Sequence, residues 1–210
     1  MKTDDLISVL ASDTVPQQTV GQRLTRSLPV ALAVSVAEFA VFWGPRADLG
    51  AALGSLAVLK TVLPFLLLLL AGALAFALAH PGQRSGPRLW GLGLFAAVLC
   101  VAIVTVVVRG GGGALAGALA TPSLAVCILS IPVLALPILG AVFWALSTGA
   151  ALRPGLTGAV AGLMAGGASA SVYSLYCDQD AALFVLPAYS AAIMFVALIG
   201  ALAGPRLLKW

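Results

Sequence analysis

Residues 123–146, SLAVCILSIPVLALPILGAVFWAL, carry no charged side chain from end to end. The run exceeds the ~20 residues an α-helix needs to cross the hydrocarbon of a bilayer. Reading outward, similar runs recur at 28–43, 58–80, 88–108, 155–176 and 182–204. They are separated by Pro45-Arg46-Ala47-Asp48, Pro81-Gly82-Gln83-Arg84, the glycines 110–113, Arg153-Pro154 and Asp178-Gln179-Asp180. Those breaks combine turn formers with charge, the usual punctuation between helices. The expectation is an all-α, polytopic membrane protein with six transmembrane helices. Hydrophobic residues make up 61% of the chain and charged residues 9%, which excludes a soluble domain of this size.

The first run begins too late, after too long and too acidic a head, to be a cleaved signal peptide. Residues 1–27 therefore read as a cytosolic N-terminal tail, and 28–210 as a six-helix transmembrane domain. Orientation follows from Lys and Arg, because cationic loops resist translocation. Lys2, Arg23, Arg26, Arg84, Arg88, Arg153, Arg206 and Lys209 fall on one face; Arg46, Lys60 and Arg109 fall on the other. The bias predicts N-in, C-in. Trp43, Trp90, Trp144 and Trp210 all fall near span ends, where an amphipathic ring is most stable. No basic run or aromatic platform suggests direct nucleic-acid binding.

This topology places Cys127, one turn into the fourth span, and Cys177, at the end of the fifth, near one depth on the outer face. There the two thiols can pair, oxidise or take up metal separately. Burial as small apolar residues is the plain alternative, and Cys100 is assigned to packing. Carboxylates flank Cys177 at Asp178 and Asp180, which disfavours thiolate. Asp180 also reads as part of an ordinary acidic loop. The only histidine, His80, is on the other face, so no metal site is assigned.

Pro132 and Pro137 free the carbonyls of Ile128 and Val133 and are expected to bend the fourth helix. That makes them candidates to transmit a change from Cys127 inward. Gly158, Gly162, Gly166, Ala170 and Ser174 repeat every four residues, a stripe that lets another helix approach closely. Gly200 and Gly204 form a shorter stripe. Glu38 and Lys60, near the outer ends of the first two spans, are expected to pair. In the tail, Thr3 can cap a short helix with Asp4 and Asp5 in its first turn. Leu6, Ile7 and Leu10 then form an apolar face suited to a partner's groove.

The segments MKTDDLI (1–7), CILSIPVLALP (127–137), YSLYCDQD (173–180) and GPRLLKW (204–210) resemble the NrsF family of six-helix inner-membrane anti-sigma factors. The likeness runs over essentially the whole chain and is most specific around the cysteines. It implies that the tail holds an extracytoplasmic-function sigma factor inactive. It also implies that Cys127 and Cys177 are the family's periplasmic-side cysteines, needed to respond to oxidants or heavy metals. Tyr176 stands where the family usually has His, and Gln179 where it usually has Glu. Both changes reduce ligand capacity beside Cys177. No cofactor is expected, the partners being a sigma factor and the bilayer. The alternatives are a small transporter or ion carrier, which needs polar groups at several depths, and a membrane thiol oxidoreductase, which lacks its CxxC.

Overall fold

The computed structural model describes residues 18–80 and 82–208, together with Thr3, Ile7 and Ser8. Helices α1 (Val20–Phe42), α3 (Leu59–Leu78), α4 (Gly86–Leu119), α5 (Pro122–Leu146), α6 (Pro154–Tyr173) and α7 (Ala182–Leu207) are each long and apolar enough to span a membrane. A short helix α2 (Leu49–Leu53) and one 3-10 turn (Leu56–Val58) lead into α3. No strand occurs among the described residues.

Three of the boundaries that differ from the hydropathy reading bear on the packing. Helix α1 starts at Val20 rather than residue 28, because Thr19 and Gln22 form a capping box. The Thr19 hydroxyl accepts from the Gln22 N–H at 3.2 Å, and the Gln22 side chain accepts from the Thr19 N–H at 3.1 Å. That satisfies two donors a helix start leaves open. Helix α4 runs on to Leu119 instead of stopping at 108, but its backbone breaks at Gly111 (φ 76°). The glycine run is therefore a break inside a continued helix, at a conformation only glycine adopts cheaply. Helix α6 ends at Tyr173, three residues early, and a tight turn carries the chain into Cys177.

Helix α6 is the hub of the bundle, packed between α3 and α7. The small-residue stripes explain how. A Cβ placed on Gly162 would lie 2.6 Å from the Ala197 Cα, and one on Gly158 would overlap the Gly200 carbonyl. One on Gly167, on the opposite side, would lie 2.7 Å from the Pro64 carbonyl. Backbone meets backbone on both faces, where dispersion rather than water drives helix association. Helix α1 packs on α5 through polar side chains that donate to α5 carbonyls. Ser35, fully buried, donates to Leu134; Ser27 donates to Ala141 at 3.4 Å; Arg23 donates to Trp144 at 3.4 Å and stacks on its ring. Helix α4 presents its sides outward, its exposed Leu and Val forming a lipid-facing wall.

Candidate functional site

Polar chemistry collects at one end of the bundle, where the loop after α1, the start of α3, the start of α5 and the loop after α6 converge. The turn after Tyr173 sets the geometry. The N–H of Cys177 donates to the Tyr173 carbonyl at 3.2 Å, which folds the cysteine back over the helix end. Its thiol is 2% exposed and contacts the Gln179 carbonyl at 3.9 Å. Cys127, fully buried on α5, belongs to the same buried core cluster. Tyr173 and Tyr189 complete the cluster, their ring centroids 6.0 Å apart. The Tyr189 hydroxyl is buried beside the Cys177 thiol. All three cysteines are free thiols.

A cleft of about 360 Å³ reaches Cys177 from the loop side, between Trp43, Arg46, Ser123, Tyr176 and Asp178. Cys127 does not line it. Of the two cysteines, Cys177 is the one that lines this cleft.

A charged clamp holds the Cys177 segment. Asp180 accepts from Arg46 at 2.9 and 3.1 Å and from Lys60 at 2.6 Å. Both cations also donate to the Cys177 carbonyl, Arg46 at 3.2 Å. Asp48 takes the other edge of the Arg46 guanidinium at 2.6 and 2.8 Å. The Arg46 N–H donates to the Leu175 carbonyl at 3.0 Å, so the first loop grips the last at three points. Two cations therefore meet two carboxylates, which is what near-complete burial of the Arg46 and Lys60 side chains requires. The hydrogen bonds from Arg46 hold Asp48 and Asp180 below the usual carboxylate range. In return Asp48 first, and then Asp180, push the guanidinium above its ordinary value.

This arrangement corrects the expected pairing of Glu38 with Lys60. Lys60 sits on α3, which packs on α6 and so reaches the loop after α6. Glu38 sits on α1, which packs on α5, and its Oε2 is buried without a partner. Asp180 is the hub of the clamp rather than an ordinary loop acid. Sequence reasoning missed Arg46, Asp48 and Tyr189 as site residues. The available signal was two loops of mixed charge assigned to one face.

Pro132 and Pro137 lie within α5, which remains one helix from Pro122 to Leu146. Ile7 lies in a helical stretch of the tail and is exposed; Asp4, Asp5, Leu6 and Leu10 fall outside the described residues. The start of α1 lies at the other end of the bundle. There Gly149 abuts Val20 and Ala79, and the Ala150 N–H donates to the Ala79 carbonyl at 3.1 Å. Among the described residues no cluster of His, Cys, Asp and Glu could hold a metal ion.

Six apolar helices around a glycine-packed hub, with polar chemistry gathered at one end, define a multi-pass, all-helical membrane protein. The family model described as "Negative regulator of sigma F" (NrsF) matches residues 10–210. The chain is 36% identical to the anti-sigma-F factor NrsF of Caulobacter vibrioides and 29% identical to a probable anti-sigma-F factor NrsF of Azospira oryzae, over the full length of every chain. It belongs to the NrsF family, whose members are regulators. No solved structure matches it.

Proposed function

We propose that this chain is a membrane anti-sigma factor that holds an extracytoplasmic-function sigma factor inactive and releases it when Cys127 and Cys177 react. The membrane is the bacterial inner membrane. Residues 1–27 are the cytosolic sigma-binding segment, with Leu6, Ile7 and Leu10 as apolar contacts and Asp4 and Asp5 in the first turn of its helix. Residues 28–210 are the sensor, with the cysteine end facing the periplasm.

The observation that carries the reading is the burial of Cys127 and Cys177, distant in sequence, in one core cluster, Cys177 lying at the end of the bundle opposite the start of α1. Oxidants or soft heavy metals, reaching the thiols, change the packing where α5, α6 and α7 meet. Pro132 and Pro137 give α5 carbonyls without intrahelical donors, so that helix can tilt at low cost. The tilt need only weaken sigma binding. A coupling of ~2–3 kcal/mol changes affinity roughly 30–150-fold.

The test replaces Cys127 and Cys177 with Ser and follows sigma-dependent transcription under peroxide or cadmium. The response disappears in the double variant; an unchanged response rejects thiol sensing. Deleting residues 2–12 frees the sigma factor without any stress, and retained repression would move the binding surface to the loops at the same end as the start of α1.

A further inference from the structure

We propose that Asp180 is the keystone of a latch that keeps Cys177 buried and slow to react, and that opening this latch is the step that exposes the thiol. Its role in signalling rests on the thiol-sensing reading above; the latch itself does not.

Cys177 belongs to the apolar core cluster, but it is carried by a loop rather than by a helix. It sits in an eight-residue loop, 174–181, beside a cleft that reaches its residue from the loop side. Besides its N–H bond to the Tyr173 carbonyl, it is held there by its own backbone carbonyl, which accepts from both Arg46 and Lys60. Those cations are positioned for that task by Asp180, among the described residues the one carboxylate that contacts both. Asp48 contacts Arg46 alone at ion-pair distance. Without the Asp180 charge, Lys60 is left as a nearly buried ammonium with only carbonyls around it. A buried cation stripped of its partner is strongly unfavourable, and a lysine escapes by swinging its flexible stem toward water. The swing removes a donor from the Cys177 carbonyl, and the loop is freed to lift away from α3. Asp180 is thus a positioning residue. It touches no sulfur and acts through Arg46 and Lys60.

The latch also assigns an order to the thiols. Cys177 is released by a movement of loops alone. Cys127 is held by the α5 backbone, among fully buried Ile131 and Tyr173 at 1% exposure, and stays sheltered when the loop opens.

The experiment measures the rate of N-ethylmaleimide addition to each cysteine, by mass spectrometry, in the purified full-length chain in detergent. Asp180→Asn raises the Cys177 rate about tenfold or more and moves Cys127 far less; Asp180→Glu, which keeps the charge, stays near the wild-type rate. A Cys177 rate in Asp180→Asn within about twofold of wild type overturns the latch. Equal acceleration of Cys127 and Cys177 overturns it as well, since that signals general loosening. Should Asp180→Asn not fold, Lys60→Met decides. It removes one donor and one buried cation while leaving Arg46 neutralised, so a Cys177 rate raised more than about twofold supports the latch and a wild-type rate rejects it. A fast Cys177 in Asp180→Asn with unaltered stress-dependent transcription supports the latch and counts against thiol sensing, which separates the two claims.

Discussion

Gly162→Ala adds one methyl group at the tightest kind of place in this bundle. The new Cβ would sit 2.6 Å from the Ala197 Cα and 3.0 Å from the Ala197 nitrogen. Carbon atoms at rest stand ~3.5–4.0 Å apart, so α7 must retreat by about 1 Å. Both neighbours are backbone atoms, and no rotamer change relieves the overlap. Overpacking of this kind costs about 1–3 kcal/mol. The retreat also loosens the rest of the seam, at Gly158 against Gly200 and at Gly204 against Pro154. A gap of 0.5–1 Å forfeits roughly a quarter to a half of each dispersion contact it opens. A total near 3 kcal/mol lowers the thermal midpoint by roughly 6–12 °C for a chain of this size. The assay is melting of the purified protein in detergent beside Gly140→Ala, where a Cβ on the exposed side of α5 meets nothing within 4 Å. The control matches wild type or gains slightly from helix propensity. Equal melting of the two variants would refute the claim that the α6–α7 seam is closed backbone to backbone.

Ser35→Ala deletes the hydroxyl that ties α1 to the Leu134 carbonyl and costs about 0.6–1.7 kcal/mol in the same melting assay. No loss would mean that the bond contributes nothing between these helices. Glu38→Gln leaves the melting midpoint unchanged or higher, because the carboxylate has no partner on Oε2 and Lys60 is bound to Asp180; a clear drop would restore a role for Glu38 in an ion pair. The clamp also fixes a pH response. Asp48 and Asp180 are held below their ordinary value of 3.8, so their stabilising effect is complete above that value and fades as pH falls through the lower folded values. The midpoint from these groups is therefore flat from about pH 8 to 5 and declines only below about 4. A clamp-dependent loss already at pH 5–6, absent in Asp180→Asn, would contradict the ion-pair geometry.

The membrane spans were legible because crossing hydrocarbon imposes a length that few uncharged segments reach by chance. The glycine stripes were legible because a four-residue spacing puts small residues on one face, and the seam formed where the stripes of α6 and α7 pointed. The partner of Lys60 was not. Depth along the chain matched it to Glu38, but partners are chosen by rotation about the helix axis, and that depends on which helices pack together. Lys60 went with α6 and its loop, Glu38 with α5. The start of α1 was missed because hydropathy averages out the polar turn before residue 28, although the Thr19-to-Gln22 spacing carried the capping signal. The placement of Cys127 and Cys177 at one end of the bundle followed from counting spans, since two crossings, α5 and α6, separate the start of one from the end of the other. The clamp over Cys177 did not follow, because Arg46 and Asp180 are 134 residues apart and only the assembled loops bring them within 2.9 Å.

Sidedness tests the account most directly. In a chain with Cys100, Cys127 and Cys177 replaced by Ser, Asp178→Cys marks the exposed loop beside the clamp, and Gln83→Cys marks an exposed loop at the other end. Membrane-impermeant maleimide added to intact cells labels Asp178→Cys, and reaches Gln83→Cys only after the membrane is opened. The reverse pattern would put the thiol cluster in the cytosol and the tail outside, away from any sigma factor.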